Sequence, residues 1–251
     1  MEWFIAPLAS FAAGLVDAIV GGGGLLLIPA LFTTFPHEVP ATLLGTNKGA
    51  AIWGTAFSAG QYARRVPLKW PTLLPAIGLA FLGSLAGAWS VSHVDPGFLR
   101  KLLPGILFVV LLYTLRHKDF GQKSKISHPH HIETMLMAAI AVTLGFYDGF
   151  FGPGTGSFFV FLFVRVLRYD FLYASANAKF LNAATNLAAI SLFASRGNIM
   201  WNFALGMGLA NIMGSLVGTR LALRYGTGFI RHVFIGLVCT LIIKTGWDAL
   251  G

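Results

Sequence analysis

The sequence predicts an all-α membrane protein built from two homologous repeats of about five apolar segments each. Of its 251 residues, 56% are apolar and only 11% are charged, and the mean hydropathy is +0.73. This composition leaves too little polar surface for a water-soluble domain of this length, so most of the surface must face lipid. Residues 14–93 also recur as residues 145–224, at a constant offset of 131 positions and without a gap.

The internal repeat is concentrated in residues that need special backbone or special charge. A constant offset over a whole half indicates gene duplication, and a repeat of this length in an apolar chain is typical of transporters. We therefore divide the chain into a first repeat (1–117), a basic cytoplasmic linker (118–132) and a second repeat (133–251). The matched residues are Gly14 with Gly145, Asp17 with Asp148, Gly21 with Gly152, Gly23 with Gly154, Lys48 with Lys179, Trp70 with Trp201, and Gly83-Ser84-Leu85-x-Gly87 with Gly214-Ser215-Leu216-x-Gly218.

The apolar segments give the helices in order. Those of the first repeat cover about 3–20, 25–36, 40–62, 69–92 and 97–116, and those of the second about 133–151, 155–168, 173–194, 201–224 and 229–248. A bilayer core of about 30 Å needs roughly 20 helical residues. The second segment of each repeat is shorter, since about 12 residues rise only about 18 Å. Each is predicted to be either a steep short span in a thin region or a re-entrant half-helix.

The basic residues predict the orientation of the repeats. Five crossings per repeat would invert the second copy, and cytoplasmic loops carry the excess of Lys and Arg. The cations follow different segments in the two copies, which favours an inverted repeat with both termini outside. They are Arg64, Arg65, Lys69, Arg116, Lys118, Lys123 and Lys125 in the first half, and Arg165, Arg168, Arg220, Arg224 and Arg231 in the second; Arg100, Lys101 and Arg196 do not fit.

Glycines interrupt the end of the first segment in both copies. A glycine costs about 1 kcal/mol relative to alanine inside a helix, and proline costs more, so both copies are predicted to unwind here. Unwound backbone at membrane depth must be buried in protein or line a wet cavity, and a half-helix starting there offers N–H donors to an anion. Close helix packing is the alternative. The residues are Gly21, Gly22, Gly23 and Gly24 in the first copy, and Gly152, Pro153, Gly154, Thr155 and Gly156 in the second.

Four other glycines are spaced like the small-xxx-small motif that lets membrane helices approach closely. They are Gly83 and Gly87 in the first repeat, and Gly214 and Gly218 in the second. For these positions the prediction is tight helix crossing.

A lysine lies within the first third of the third and eighth segments, Lys48 and Lys179 respectively. Inserting a lysine at the centre of a membrane helix costs about 2.5–3.5 kcal/mol of free energy, so each of these side chains should face a cavity or a partner. Asparagine side chains gather around both lysines, namely Asn47, Asn177, Asn182 and Asn186. Two ammonium groups with amide donors suit a small oxyanion near the midplane.

Two plainer interpretations of the lysines stay open. Lys48 is near enough to its helix start to snorkel to the interface. Alternatively, salt bridges of Asp17 with Lys48 and of Asp148 with Lys179 would leave no charge for a ligand. If the lysines do bind substrate, the two aspartates would orient them or take up a proton.

Other functional classes find little support. The net charge of +9 comes from cations beside membrane spans, where it sets orientation, so no nucleic-acid partner is expected. Cys239 is the one cysteine and has no neighbouring acid or base in sequence. No cofactor or metal is expected, and an enzyme is disfavoured.

The motifs GLVDAIVGGGGLLLIPAL, TNK, GFYDGFFGPGTGSF and AKFLNAATN resemble the TauE/SafE sulfite exporter family over nearly the whole chain. The resemblance implies a multi-pass permease of the bacterial inner membrane, whose relatives are associated with sulfite, thiosulfate, sulfoacetate and similar anions. Pro153 and Thr155 replace glycines of the first copy, so the two half-sites need not be equivalent.

The leading hypothesis is a secondary transporter, an exporter, of a small sulfur-containing anion such as sulfite. A passive anion channel and an uptake permease for thiosulfate or an organic sulfonate or carboxylate are the alternatives. A membrane-embedded enzyme or sulfur carrier would need Cys239. The sequence leaves a homo-oligomer open.

Overall fold

A computed structural model of the chain describes residues 2–91 and 129–250. Within these ranges every element of regular secondary structure is a helix, which confirms the all-α fold class. The apolar segment 97–116 and linker residues 118–128 lie outside the described residues. The helices are α1 (Glu2–Val20), α2 (Gly23–Thr34), α3 (Pro40–Ala63), α4 (Trp70–Val91), α5 (His130–Phe150), α6 (Thr155–Arg165), α7 (Phe171–Ser195) and α8 (Trp201–Leu250).

Local sequence explains several of the helix ends. Pro40 opens α3, where a missing N–H does no harm. The side chain of Asp170 caps α7 by accepting a hydrogen bond from the Tyr173 amide at 2.9 Å. Helix α8 is interrupted at Gly226, whose φ of 65° is not helical. That break separates the ninth and tenth apolar segments.

Three described helices are long and apolar enough to cross a membrane, namely α1, α4 and α5. Helices α3 and α7, with 24 and 25 residues, are long enough to cross a membrane but are less apolar. They carry Lys48, Lys179 and several asparagines, and most of these polar side chains are buried. In this arrangement α3 and α7 form the polar centre of the bundle, and the apolar helices pack around them.

Helices α1 and α2 form a hairpin, as do α5 and α6. Trp3 at the start of α1 stacks on Phe203 at a centroid distance of 4.2 Å, and Phe35 after α2 meets the same ring at 4.9 Å. Both ends of this hairpin therefore lie at one end of the bundle. With 12 and 11 residues, α2 and α6 rise only about 18 and 16 Å, which favours the re-entrant prediction over a full crossing.

The hairpin tips contain the glycine breaks and touch each other inside the bundle. Gly21 and Gly152 have φ of 78° and 91°, a left-handed conformation that favours glycine. The Ser157 amide donates a hydrogen bond to the Gly21 carbonyl at 3.1 Å. The predicted unwinding in both copies is confirmed.

The first helix of each repeat packs along the fourth helix of the other repeat. A Cβ on Gly14 would overlap the Asn211 carbonyl, and a Cβ on Gly145 would overlap that of Ala80. A Cβ on Gly87 or Gly214 would likewise overlap the Phe146 or Phe11 carbonyl. The predicted role of the spaced glycines in close helix packing is confirmed.

Helices α1, α3 and α8 run in one direction, and α4, α5 and α7 run together. Neighbouring helices within a group are parallel, because the contacts between them join residues whose numbers rise together. Helices α1 and α7 are antiparallel, because the numbers of their contacting residues change in opposite senses. The contacts are Ser10 with Met207 and Gly14 with Ser215 (α1 and α8), Thr46 with Met200 and Ser58 with Thr219 (α3 and α8), Gly83 with Val142 and Gly87 with Phe146 (α4 and α5), Trp70 with Phe180 and Ser84 with Thr185 (α4 and α7), and Asp17 with Lys179 and Ile19 with Ser175 (α1 and α7).

One end of the bundle is strongly basic. The α3–α4 connection reaches the start of α5 through an ion pair between Lys69 and Glu133, and the α6–α7 connection reaches the same glutamate through Tyr169. The cations on these connections and at the neighbouring part of α8 are Arg64, Arg65, Lys69, Arg165, Arg168, Arg220 and Arg224. The connection between α2 and α3, at the other end, contains His37 and Glu38 instead.

Candidate functional site

Two buried ion pairs join the repeats crosswise. The Lys48 ammonium lies 2.5 Å from Asp148 Oδ2, and the Lys179 ammonium lies 2.9 Å from Asp17 Oδ2. The alternative that paired Asp17 with Lys48 and Asp148 with Lys179 is therefore wrong. Each first helix contributes its aspartate to the lysine of the other repeat, because α1 packs against α7 and the tip of α5 lies beside α3.

The Lys179 pair is firmly held. The Lys179 side chain is fully buried, and its ammonium donates to both the carboxylate and the backbone carbonyl of Asp17. Asp17 also accepts a hydrogen bond from the Thr55 hydroxyl at 3.2 Å. This pair fastens the end of α1 to α7 and α3.

The Lys48 pair has fewer contacts. Both side chains are buried, with 5% and 4% of their surface exposed, so neither snorkels to an interface. Among the described residues, each is the other's one ionic or side-chain hydrogen-bonding partner. A lysine ammonium has three donors, so Lys48 keeps donor capacity beyond Asp148.

A narrow cavity of about 30 Å³ lies between the hairpin tips and helices α3, α7 and α8. Since about 10–15 Å³ of such space holds one water, a bound ion of several atoms would require the walls to move. The lining residues are Ala13, Asp17, Gly21, Gly23, Gly24, Leu27, Asn47, Lys48, Ala51, Thr55, Asp148, Gly152, Thr155, Gly156, Asn182, Asn186 and Asn211.

Most of the predicted binding residues meet at this cavity, but four do not line it. They are Gly22, Gly154, Asn177 and Lys179. Asn177 instead donates to the Tyr173 carbonyl of its own helix at 2.8 Å, and Gly154 is the left-handed residue before α6. Lys179 faces Asp17 rather than the cavity, so the two lysines are not equivalent.

Thr55 and Asn211 line the cavity, although sequence reasoning did not select them. The Asn211 amide donates to the Ser10 carbonyl at 3.0 Å, which holds α8 against α1. The sequence did contain an indication of Asn211, because this residue lies one helical turn before the repeated Gly214-Ser215 motif. Thr55 lies two turns after Lys48, on the same face of α3.

Three asparagine amides face the cavity without a partner in the described part of the chain. Asn47 is 4% exposed and its Oδ1 lacks a hydrogen bond. Asn182 and Asn186, both 6% exposed, likewise form no side-chain hydrogen bond with any described residue. Buried amides without partners cost free energy, so these groups are available to a polar ligand.

The half-helices α2 and α6 begin at the same cavity. The first amides of a helix lack intrahelical partners, and the positive end of its dipole favours an anion. Gly23 and Gly24 of α2 and Gly156 of α6 line the cavity. Together with Lys48 and the asparagine amides, these backbone groups place hydrogen-bond donors suited to an oxyanion beside the two aspartates that also line the cavity.

A second polar cluster lies at the basic end of the bundle, away from the cavity. Glu133 is 2% exposed and accepts hydrogen bonds from Lys69 at 2.9 Å and from the Tyr169 hydroxyl at 2.5 Å. Burial raises the pKa of Tyr169 well above its usual value, and the bond to Glu133 raises it further. Sequence reasoning missed this cluster, because its members are far apart in the chain.

The fold and the site define a membrane protein that holds a buried, donor-rich polar cavity between two homologous repeats. The family model described as "Sulfite exporter TauE/SafE" matches residues 6–245. The chain belongs to the TauE/SafE sulfite exporter family.

Its relatives carry the names of membrane transporters rather than enzymes. "Probable membrane transporter protein YfcA" of Escherichia coli K12 is 34% identical over 249 residues, which is 99% of this chain and 90% of that protein. "Probable membrane transporter protein ORF9" of Sinorhizobium sp. is 34% identical, with 94% and 89% covered. "Probable membrane transporter protein YunE" of Bacillus subtilis is 23% identical, with 97% and 98% covered. No solved structure matches the chain.

Proposed function

We propose that this membrane transporter carries a small sulfur-containing anion, with sulfite as the first candidate, out of the cell across the bacterial inner membrane. The observation that carries the proposal is Lys48, a buried lysine that faces a cavity lined by the amide side chains of Asn47, Asn182 and Asn186. The family name supplies the sulfite candidate. The two re-entrant hairpins provide the broken helices on which secondary transporters build such sites.

The chemistry of the cavity suits a compact anion. Lys48 provides a point charge, and Asn47, Asn182 and Asn186 provide amide donors around it. The start of α2 adds backbone N–H groups. A sulfur oxyanion presents several acceptor oxygens in a small volume, so it can accept hydrogen bonds from all of these groups at once.

We further propose that the two repeats have inverted topology, with the basic end in the cytoplasm. Helices α1, α3 and α4 run in directions opposite to those of their counterparts α5, α7 and α8, which supports inversion. Seven cations gather at one end of the bundle, and cytoplasmic loops are the ones enriched in Lys and Arg. The start of α1 lies at the other end, so the N-terminus would be outside.

The crosswise ion pairs suggest how the two repeats move. Because each lysine pairs with the opposite repeat, rocking one repeat against the other changes the distance within both pairs. A carrier of this kind exposes the cavity to one side at a time. The narrow cavity is consistent with a closed conformation between those two states.

Counterflow of radiolabelled sulfite in proteoliposomes tests the proposal. We expect saturable uptake that unlabelled sulfite on the opposite side accelerates, with thiosulfate, sulfoacetate and a carboxylate as graded competitors. Lys48→Gln removes the cation that faces the cavity. Its matched control is Arg196→Gln, which removes an exposed cation outside the cavity and should transport normally. Non-saturable flux without acceleration would show a channel instead, and the competitor ranking would reveal a different cargo.

A further inference from the structure

The charges of the described residues at the cavity, with Lys179 counted as the partner of Asp17, sum to zero. Lys48 and Asp148 form one pair, and Asp17 is neutralised by Lys179. An anion bound here would give the closed site a net negative charge, and an unpaired buried charge is strongly unfavourable. A cation must therefore enter the site together with the anion, or an aspartate must take up a proton.

The two aspartates differ in how easily an anion can release them from their lysines. Asp17 is held by the ammonium of Lys179 and by the Thr55 hydroxyl, and Lys179 also bonds to its backbone carbonyl. Asp148 has Lys48 as its one partner among the described residues. Lys48 is also the lysine that faces the cavity, so an anion that approaches it competes directly with Asp148.

We propose that Asp148 is the proton-accepting group of this transporter, so that each anion binds to the closed site together with one proton; this inference rests on the proposed anion transport. When the anion binds, its oxygen replaces Asp148 Oδ2 as the acceptor of the Lys48 ammonium. The released carboxylate takes a proton from solvent. The site then holds two lysine charges, the Asp17 carboxylate and the anion, and its charge is zero again for a monoanion.

The other ionisable groups near Asp148 do not compete for this role. Tyr147, on the same helix, donates its hydroxyl proton to the Pro153 carbonyl at 2.8 Å. Helix α7 contributes Lys179, which is occupied by Asp17. Helix α4 meets this part of α5 through Ser84, whose carbonyl lies against Gly149, and through other uncharged residues. In the described part of the chain, Lys48 of α3 and Asp17 of α1 are the remaining charged groups that line the cavity with Asp148.

The internal repeat explains how the two pairs came to differ. The positions equivalent to Asn182 and Asn186 are Ala51 and Thr55. Thr55 bonds to Asp17, whereas Asn186 has no partner in the described chain and is left for a ligand. The pair of Asp17 and Lys179 is thus held by an additional hydroxyl, whereas the equivalent pair of Asp148 and Lys48 is not.

Calorimetry of anion binding to the purified protein counts the protons directly. Titrations with methanesulfonate and ethanesulfonate, in Tris and in imidazole buffer, separate the proton uptake from the binding heat, because these strong-acid monoanions carry no titrating proton near neutral pH. We expect uptake of about one proton per anion, and an affinity that falls about tenfold per pH unit on the alkaline side. Asp148→Asn should abolish the proton uptake, while the double variant Asp17→Asn with Lys179→Met, which removes the other pair without changing the net charge, should retain it.

Binding without proton uptake in the wild type, or full uptake in Asp148→Asn, would overturn this inference while leaving anion transport intact. If Asp148→Asn does not fold, the pH dependence of wild-type affinity decides, since an affinity that does not change with pH contradicts proton coupling. Absence of binding heat for both anions, together with absence of sulfite counterflow, would instead refute the proposed function itself.

Discussion

Removing one partner of the Lys179 pair should destabilise the protein far more than removing both. Lys179 is fully buried and the Asp17 side chain is 14% exposed. Breaking a pair of this kind costs about 3–5 kcal/mol, because it leaves a buried charge alone. The carbonyl of Asp17 still accepts from Lys179 after Asp17→Asn, so we expect about 3 kcal/mol for that variant.

For a chain of this length, each kcal/mol shifts the melting temperature by about 2–4 °C, so Asp17→Asn should melt about 6–12 °C below the wild type. Adding Lys179→Met should recover most of this loss. The assay is thermal unfolding of detergent-purified protein, in a double-mutant cycle. The matched cycle combines Lys179→Met with Asp148→Asn, two residues that lie in the same repeat and do not pair.

The crosswise arrangement requires strong coupling in the first cycle and additive effects in the second. Coupling of Lys179 with Asp148, or additivity of Lys179 with Asp17, would refute the reasoning. The first result would mean that the ion pairs form within each repeat, and the second that Asp17 and Lys179 do not interact.

Three further predictions follow from the packing and the topology. In a Cys239→Ser background, Arg65→Cys and Arg168→Cys should react with an impermeant thiol reagent from the cytoplasmic side and His37→Cys from the outside; reaction of all three from one side would contradict the inverted repeats. Gly87→Val should prevent stable folding because a Cβ there overlaps the Phe146 carbonyl, whereas Gly78→Val, on the same helix with open space around it, should melt normally. Equal melting of the two would contradict the close packing of α4 on α5. Tyr169→Phe should cost about 1.5–3 kcal/mol by removing a hydrogen bond to a charged group. Folding raises the pKa of Tyr169, so its contribution to stability is present below the ordinary tyrosine pKa of about 10 and declines as the pH rises above that value. In thermal unfolding, Tyr169→Phe should therefore lose less stability at alkaline pH than the wild type. An identical loss in both would count against the Glu133 contact.

The helices and their breaks could be predicted because their signals are local. A run of apolar residues sets each helix, and Gly21–Gly24 ends one of them by simple backbone energetics. The repeat in the sequence also identified Asp17, Lys48 and their counterparts as special positions. These inferences needed no knowledge of which helices touch.

The pairing of charges could not be predicted, because it depends on tertiary contacts. A repeated sequence fits Asp17 with Lys48 as well as it fits Asp17 with Lys179, and only the packing of α1 against α7 decides. The same reason explains why two equivalent lysines differ in access to the cavity. The cluster around Glu133 was missed because Lys69 and Tyr169 come from two separate connections and Glu133 from the first turn of α5.

The affinity of counterflow in Lys48→Gln tests the central claim most directly. A hydrogen bond to a charged group contributes about 1.5–3 kcal/mol, so we predict that the half-saturating sulfite concentration rises about 10–150-fold. The double variant Asp17→Asn with Lys179→Met, which removes the other pair without changing the net charge of the site, should lower stability but shift the half-saturation by no more than about twofold in folded protein. An unchanged half-saturation in Lys48→Gln would contradict the account, because the lysine facing the cavity would then not bind the anion.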